Sequence, residues 1–368
     1  MENLKKTIGI IGGGQLGQMM AISAQYMGHC VVTLDPNGQC SAAKCSDALI
    51  VADYDDVGAL QRLAEVCDLI TYEFENVSAA ALHKVEDVVQ IPQGIRLLEI
   101  TQNRRAEKEF LETCGLRIAP WKLIRSVDDL PESVVKKQVL KTSRGGYDGH
   151  GQIVVKCSEN LREARELAQN AECVLEDFIA FDKEISVVVS GNGREYVTFP
   201  VCENEHVDNI LHQTIAPARI SEFVQKEAVQ MALSIAERLG LFGTLCVEMF
   251  LTNDGQLYIN ELAPRPHNSG HYTIEACDFS QFDLHVKGIL GEELPQPRLL
   301  KNAMMLNLLG QHVEAADKLS SMHPDWHVHD YGKKEAKYNR KMGHVTILTD
   351  DFGQTLEEVQ NTEIWRGL

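Results

Sequence analysis

Short apolar runs alternate with stretches of helical spacing over the first hundred residues. TIGII is followed by a glycine turn and by QLGQMMAISAQYMG, in which Leu16, Met19, Met20 and Ser23/Ala24 recur on one helical face; CVVTLD closes at Asp35, and LIVAD, a helix around VGALQRLAEVC and DLITYEF come next. Strand and helix in strict alternation predict a doubly wound parallel sheet, a Rossmann-like unit over 1–100. The sequence then turns helical and charged (TQNRRAEKEFLETCGL), with Gly115 and Pro120 placed as a helix stop, and leads into a second unit over 101–300. There the pattern predicts strands in KKQVLKT and QIVVK joined by a glycine cluster at 145–151, a helix ENLREARELAQNA, and strands in CVLEDFI, KEISVVVSGNG and REYVTFPV. A long helix, SEFVQKEAVQMALSIAERLGL, precedes the hairpin GTLCVEMFLTNDGQLYINEL, whose NDG turn is the clearest β signal in the chain. Short strands and many histidines from 301 to 368 predict a small C-terminal β domain.

Composition narrows the function classes. The 368 residues carry 35 basic and 53 acidic side chains, a net charge of −18, with 44% hydrophobic residues. That excludes disorder and a fibrous repeat, and allows two or three domains. An acidic chain without a basic stripe argues against nucleic acid as a partner, although a few basic groups in a cleft still suit a small anion. Ten cysteines without a C-x-x-C pair read as small buried hydrophobes. The apolar part of MENLKKTIGIIGGG is too short for a signal segment, and no apolar run reaches the ~18 residues that cross a membrane. A reducing, soluble, cytoplasmic setting is therefore expected.

Several constellations carry candidate chemistry. Gly12, Gly14 and Gly17 fit G-x-G-x-x-G between strand and helix, with Asp35 ending the next strand. This reads either as a dinucleotide site or as a glycine turn that packs a helix on a sheet. In the hairpin, a turn centred on Asn253 to Gln256 sets Glu248 opposite Glu261, with Cys246, Phe250 and Ile259 expected on the same face. Carboxylates at ~4.5–5.5 Å Cβ separation repel unless a cation lies between them, and Mg²⁺ suits two carboxylates with water and phosphate completing its shell. NELAPRPHNSGH follows at once, packing Arg265, His267, Asn268 and His271 into an anion-binding loop. In KTSRGGYDGHGQ, glycines free the backbone N–H groups and Lys141 precedes them, so the loop can cover a polyphosphate, although it is not a Walker A sequence. Glu176 and Glu184 read as nucleotide acceptors or as solvated strand ends. Lys333, Lys334, Lys337, Arg340 and Lys341 suit a phosphate monoester, or balance the acidic surface.

GGGQLGQM, GGYDGHGQ, the E-x(12)-E hairpin, NELAPRPHNSGH and RKMGH, in this order, resemble the 5-(carboxyamino)imidazole ribonucleotide synthase family of ATP-grasp ligases, the ATPase subunit of phosphoribosylaminoimidazole carboxylase. The resemblance runs from about residue 7 to the C-terminus. It implies an α/β and α+β architecture: an N-terminal Rossmann-like parallel sheet without NAD, a central ATP-grasp unit with a small lid at about 125–180, and a C-terminal β domain. The implied reaction carboxylates 5-aminoimidazole ribonucleotide with ATP and bicarbonate, through carboxyphosphate, in de novo purine biosynthesis. Mg²⁺, or Mn²⁺ in its place, and a homodimer are implied with it.

By the same resemblance ATP is held by Arg104, Lys141, the loop Gly146, Tyr147, Asp148, Gly149, His150, Gly151 and Gln152, then Glu176, Asp177, Phe178, Ile179 and Glu184, and Asn260 beside Glu261. Glu248 and Glu261 hold the metal, and Arg265 and His267 receive bicarbonate or carboxyphosphate. Tyr147, Asp148, Asn268, Ser269, Lys333 and Arg340 are expected on the ribotide. Gln15, Leu16 and Glu73 join them on a separate ground, since ligands of open α/β sheets gather at the C-terminal strand ends. Two positions depart from the family pattern: His150 stands where Arg or Lys is usual, and Asp208-Asn209 stands for Asp-Gly. The rival readings are another ATP-grasp ligase such as a formate-using glycinamide ribotide transformylase, an NAD(P)-dependent oxidoreductase, and a catalytically silent ATP-binding regulator. GGYDG and the basic C-terminal cluster favour the carboxylating enzyme.

Overall fold

The computed structural model describes residues 5–146 and 150–365. At the N-terminus β1 (Thr7–Ile11), α1 (Gln15–Tyr26), β2 (Cys30–Asp35), β3 (Ala48–Val51), α2 (Val57–Val66) and β4 (Leu69–Tyr72) form a four-stranded sheet in the order β3-β2-β1-β4, parallel throughout. Its strands are apolar runs because both faces are covered. Ile8 and Ile10 pack under Leu16, Met20 and Ala24 of α1, while Ile11, Leu34 and Tyr72 meet Leu60 and Leu63 of α2. The same second face takes α3 (Ala79–Leu82) and α4 (Ile95–Thr101). The charged helix α5 (Arg104–Thr113) starts where Asn103 accepts from the backbone N–H groups of Arg105 and Ala106, and stops before Gly115, whose φ of +68° suits the expected glycine stop.

A second, antiparallel sheet holds β5 (Trp121–Ile124), β6 (Gln138–Thr142), β7 (Gln152–Val155) and, after α6 (Ser158–Asn170), β8 (Cys173–Asp177), in the order β5-β8-β6-β7. Leu161, Ala164 and Ala168 of α6 close its core over Leu140, Val155 and Leu175. The glycine loop joins β6 to β7, and the Tyr147, Asp148 and Gly149 of the expected site lie outside the described residues.

The third sheet is built from β9 (Phe181–Asn192), β10 (Tyr196–Thr198), β11 (Cys202–Val207), β12 (Ile210–Ala216), β13 (Phe242–Thr252) and β14 (Leu257–Ala263), with α7 (Glu222–Leu239) packed against it. Beyond α8 (Thr273–Ala276) and α9 (Gln281–Ile289), the chain adds β15 (Asn302–Leu309), α10 (Val313–Ala316), α11 (Leu319–Met322), β16 (His327–Asp330), β17 (Lys341–Thr349) and α12 (Phe352–Asn361). The order β14-β13-β9-β11-β12-β15-β17-β16, with β10 on β9, shows that the C-terminal strands continue the central sheet instead of forming a detached one. Gln213 pairs with Leu306 across the junction, so the open edge of β12 is covered by β15. Asp208 and Asn209 both take positive φ (51° and 63°), giving the two-residue turn that the twist of β11 and β12 favours. Phe282, Val286 and Ile289 of α9 pack with α1 against β1, which ties the N-terminal sheet to the central one.

Candidate active site

The carboxylate pair forms, but by a different register from the one expected. Next to the turn Leu251 pairs with Leu257, Phe250 with Tyr258 and Met249 with Ile259; a bulge then shifts the count so that Glu248 faces Glu261. Asn260 is the extra residue. Ile259 therefore joins Met249 in the apolar core, on the face opposite the carboxylates, which corrects the expected grouping. A bulge re-aims side chains at a sheet rim, and here it presents Asn260 beside both acids.

Each of the two acids has a donor of the protein beside it. Arg104 Nη1 lies 3.2 Å from Glu261 Oε2, and His267 Nε2 lies 2.9 Å from Glu248 Oε1. Burial works to raise the Glu248 pKa, but His267, His206 and Arg265 outweigh it and hold the group below the ordinary carboxylate range. Lys141 Nζ reaches Asn260 Oδ1 at 3.4 Å. Among the described residues no cluster of three or more His, Cys, Asp or Glu ligands forms a closed metal cage. Two carboxylates and an amide oxygen are hard donors that leave positions open, which fits a magnesium-type ion shared with phosphate.

On the side of the small sheet, Glu176 is clamped between two lysines: Lys108 Nζ at 3.2 Å from Oε1 and Lys141 Nζ at 3.4 Å from Oε2. Burial pushes Glu176 up and Lys141 down, yet the lysines together keep Glu176 below the ordinary carboxylate range. Lys108 was not singled out from the sequence. The available signal was helical spacing, since Arg104 and Lys108 stand four apart on α5, and Glu107 between them is buried as well. Asp177 turns to Lys136 (2.5 Å) and Gln138 (3.0 Å), while the Lys137 ammonium sits 3.2 Å over the Phe178 ring. Glu184 is paired with His206, and Gln152 Nε2 donates to Asn209 Oδ1 at 3.2 Å. Gly146 lies against Arg104, with Nη2 3.6 Å from where a Cβ would stand.

In the loop after β14, Arg265 Nε donates to Glu75 Oε2 at 2.9 Å, a partner the motif did not reveal. Burial would raise the Glu75 pKa, but the guanidinium beside it holds it down. Asn268 is buried with neither side-chain amide atom partnered, as a group reserved for a ligand would be. Two neighbours differ from expectation. Ser269 is fully buried and bonds Ser186 and His267, so it does not line the cleft. His271 is buried against Gln281 and stacks near His344; desolvation takes its pKa well below the ordinary value, and it serves the core.

At the glycine turn the anion cradle is already filled from within the chain. Gly14 N–H donates to Glu73 Oε1 and Gly17 N–H to Glu73 Oε2, both at 2.6 Å, and Gly13 N–H donates to Asp35 at 2.7 Å. A Cβ on Gly12 would stand 2.3 Å from Glu73 Cγ, which explains the small residue there. The motif thus serves a carboxylate in place of a dinucleotide phosphate. Burial raises the Glu73 pKa to about 7 despite the two amides. The Leu16 side chain belongs to the core, so only its backbone faces this edge. Lys333 and Arg340 come from the connection between β16 and β17: Lys333 Nζ donates to Lys341 O (2.7 Å), and burial together with Arg340 lowers its pKa to about 8, against the pull of Glu73. Titration with NADH followed by nicotinamide fluorescence is expected to show no saturable binding in the micromolar range; a saturable signal would mean that Glu73 yields the cradle.

Comparison with known proteins gives three family matches along the chain: a ribonucleotide synthetase preATP-grasp domain over residues 5–102, an ATP-grasp domain over 109–282 and a phosphoribosylaminoimidazole carboxylase C-terminal domain over 303–358. The N5-carboxyaminoimidazole ribonucleotide synthase of Staphylococcus saprophyticus is 48% identical over 358 residues, 96% of each chain. Among solved structures, an ADP complex of an N5-carboxyaminoimidazole ribonucleotide synthetase superposes with a TM-score of 0.95 at 48% identity, covering 98% of this chain and 97% of the other. The Aspergillus clavatus N5-carboxyaminoimidazole synthase in complex with ADP and 5-aminoimidazole ribonucleotide gives 0.86 at 29% identity, covering 98% of both.

Proposed function

Because this chain belongs to the N5-carboxyaminoimidazole ribonucleotide synthase family of ATP-grasp enzymes, we propose a division of its cleft into three sub-sites that serve that family's reaction. The reaction is the ATP-dependent carboxylation of 5-aminoimidazole ribonucleotide to N5-carboxyaminoimidazole ribonucleotide in purine biosynthesis, with release of ADP and phosphate. Bicarbonate is a poor electrophile, so it is first phosphorylated to carboxyphosphate, a transfer that is mainly a problem of positioning and charge.

ATP lies between the small sheet and the hairpin, with Lys141 and Arg104 facing its phosphates and the Glu176–Ile179 segment beside its base. Glu248 and Glu261 hold Mg²⁺ or Mn²⁺, which when bound neutralises phosphate charge. Arg265, fixed by Glu75, and His267, fixed against Glu248, take bicarbonate and then carboxyphosphate. The ribotide spans from Gln15 and Glu73 to Asn268, with its phosphate on Lys333 and Arg340. The observation that carries this reading is the meeting of Arg104, Lys141, Arg265 and His267 around one carboxylate pair. ADP release measured with bicarbonate, with and without 5-aminoimidazole ribonucleotide, tests it: release that ignores both would remove the carboxylation reading. Division at about residues 100 and 300, with the last two units sharing one sheet, a homodimer and a cytoplasmic setting belong to the same proposal. Among the described residues no helix is long and apolar enough to cross a membrane.

Arg340→Ala separates a phosphate grip from surface charge. It is expected to raise KM for the ribotide by about one to two decades, the cost of a charge-assisted bond at roughly 1.5–3 kcal/mol, and to leave KM for ATP nearly unchanged. Equal effects on both substrates would point to damage of the whole cleft, and none on either would return the cluster to the surface.

A further inference from the structure

The direction of a buried hydrogen-bond chain behind His267 can be assigned from one unambiguous donor. The Ser269 backbone N–H donates to His267 Nδ1 at 3.3 Å. An amide N–H cannot accept, so Nδ1 carries the ring's lone pair and the ring proton sits on Nε2, facing Glu248 Oε1 at 2.9 Å. The Ser269 hydroxyl, 2.8 Å from Nδ1, must then donate to it as well. Its contact with Ser186 Oγ at 2.8 Å is left for the Ser186 hydrogen. Ser186 Oγ in turn receives Asn204 Nδ2 at 2.8 Å, and Asn204 Oδ1 receives the Thr214 hydroxyl at 2.9 Å. Each step has one donor and one acceptor, and all point from β12 through β11 and β9 to the imidazole.

The chain is sealed from solvent: Ser186, Thr214 and Ser269 are each 0% exposed. The His267 backbone is held separately by Gln281, whose Oε1 accepts from its N–H at 2.8 Å and whose Nε2 donates to its C=O at 2.7 Å. With backbone and Nδ1 both fixed, the ring's remaining polar atom is Nε2, a donor that here faces the Glu248 carboxylate. A ring so held offers a proton to an anion and offers no lone pair to a metal or to an acidic proton.

We propose that Ser269 is a positioning residue: its hydroxyl, oriented through Ser186, Asn204 and Thr214, holds His267 with Nδ1 as the acceptor and the ring proton on Nε2, so that the ring enters the cleft as a hydrogen-bond donor. The kinetic consequence rests on the reading of His267 as the group that receives bicarbonate or carboxyphosphate. The tautomer does not.

The test is a long-range ¹H–¹⁵N correlation spectrum of histidine-labelled full-length protein without nucleotide or metal, with His267 assigned by the signals lost in His267→Gln. A proton on Nε2 alone is expected, and a ring proton on Nδ1 overturns the proposal. Ser269→Ala is expected to shift the His267 Nδ1 resonance and to lower kcat about three- to tenfold, the worth of one net hydrogen bond, with KM for ATP unchanged. A loss of kcat with the His267 nitrogens unmoved also overturns it, because the hydroxyl would then act elsewhere. Ser186→Ala, one bond further from the ring, supplies the same measurement should Ser269→Ala not fold. The kinetic reading is tested apart: His267→Gln, which places an amide N–H near the Nε2 position, should turn over faster than His267→Asn. Equal rates beside the expected spectrum would sink the role given to His267 while leaving the tautomer assignment standing.

Discussion

Glu261→Gln is expected to abolish ATP turnover, by about a hundred- to thousandfold in kcat, while the protein stays folded. Loss of a single well-placed electrostatic group in a site of this kind costs two to three decades. The substitution is nearly isosteric, so the hairpin and the bulge at Asn260 need not change. It removes a charged oxygen donor from the metal pair and the partner of Arg104, 3.2 Å away. It also removes the carboxylate that adds to burial in raising the neighbouring Glu107 to about 8. These last two effects oppose each other in the metal-free protein, so its melting temperature should stay near that of the wild type. Glu248→Gln should follow less sharply, because His267 remains beside that position. Near-normal ADP release by Glu261→Gln at modest Mg²⁺ would remove the metal-site reading.

The largest effect on stability is expected at Glu176, which is 4% exposed and is the shared partner of Lys108 and Lys141. Glu176→Leu keeps the site filled but leaves two buried ammonium groups without a counter-charge, and breaking such a pair costs about 3–5 kcal/mol. Lys108→Met added to Glu176→Leu should recover part of that loss, since it removes one stranded charge. If the double variant is no more stable than the single one in urea unfolding, the cost lies in packing and not in charge. The pH dependence has a defined sign. The folded-state pKa of Glu176 is depressed, so its contribution is fully present above the unfolded carboxylate value and is lost as pH falls through the lower folded value. The stability gap between wild type and Glu176→Leu should therefore narrow in acid.

Much of the fold was legible because its signals are local. Helical spacing in α1 and α7, continuous apolar runs in β1 and β4, and the NDG turn each act over a few residues, and all became the elements expected. The family-specific strings NELAPRPHNSGH and GGYDGHGQ carried identity. What failed was set at longer range. The bulge at Asn260 leaves no mark in a count of residues from the turn, so Glu248 and Glu261 were paired correctly while Ile259 was put on the wrong face. Ser269 and His271 look like cleft residues in a polar loop, yet Ser269 turns inward onto Ser186 of β9 and His271 onto Gln281 of α9. Glu73 could be placed at a strand end but not in the glycine turn itself, because its partners Gly14 and Gly17 lie almost sixty residues earlier. Glu75 and Lys108 form ion pairs across elements, and no periodicity records those.

The continuous sheet also governs how the gene can be cut. A stop codon near residue 301 looks from the sequence like a boundary between units, but β15 covers β12 from Gln213 to Ala216 and is itself covered by β17. A fragment ending there would lose Met304 and Leu306 from over Ile215 and expose a row of unpaired backbone groups beside an uncovered apolar surface. Such an edge is a template for strand addition by other copies. The shortened protein should accumulate as aggregate and not as a soluble ATP-binding core, so fragments for expression are better divided elsewhere.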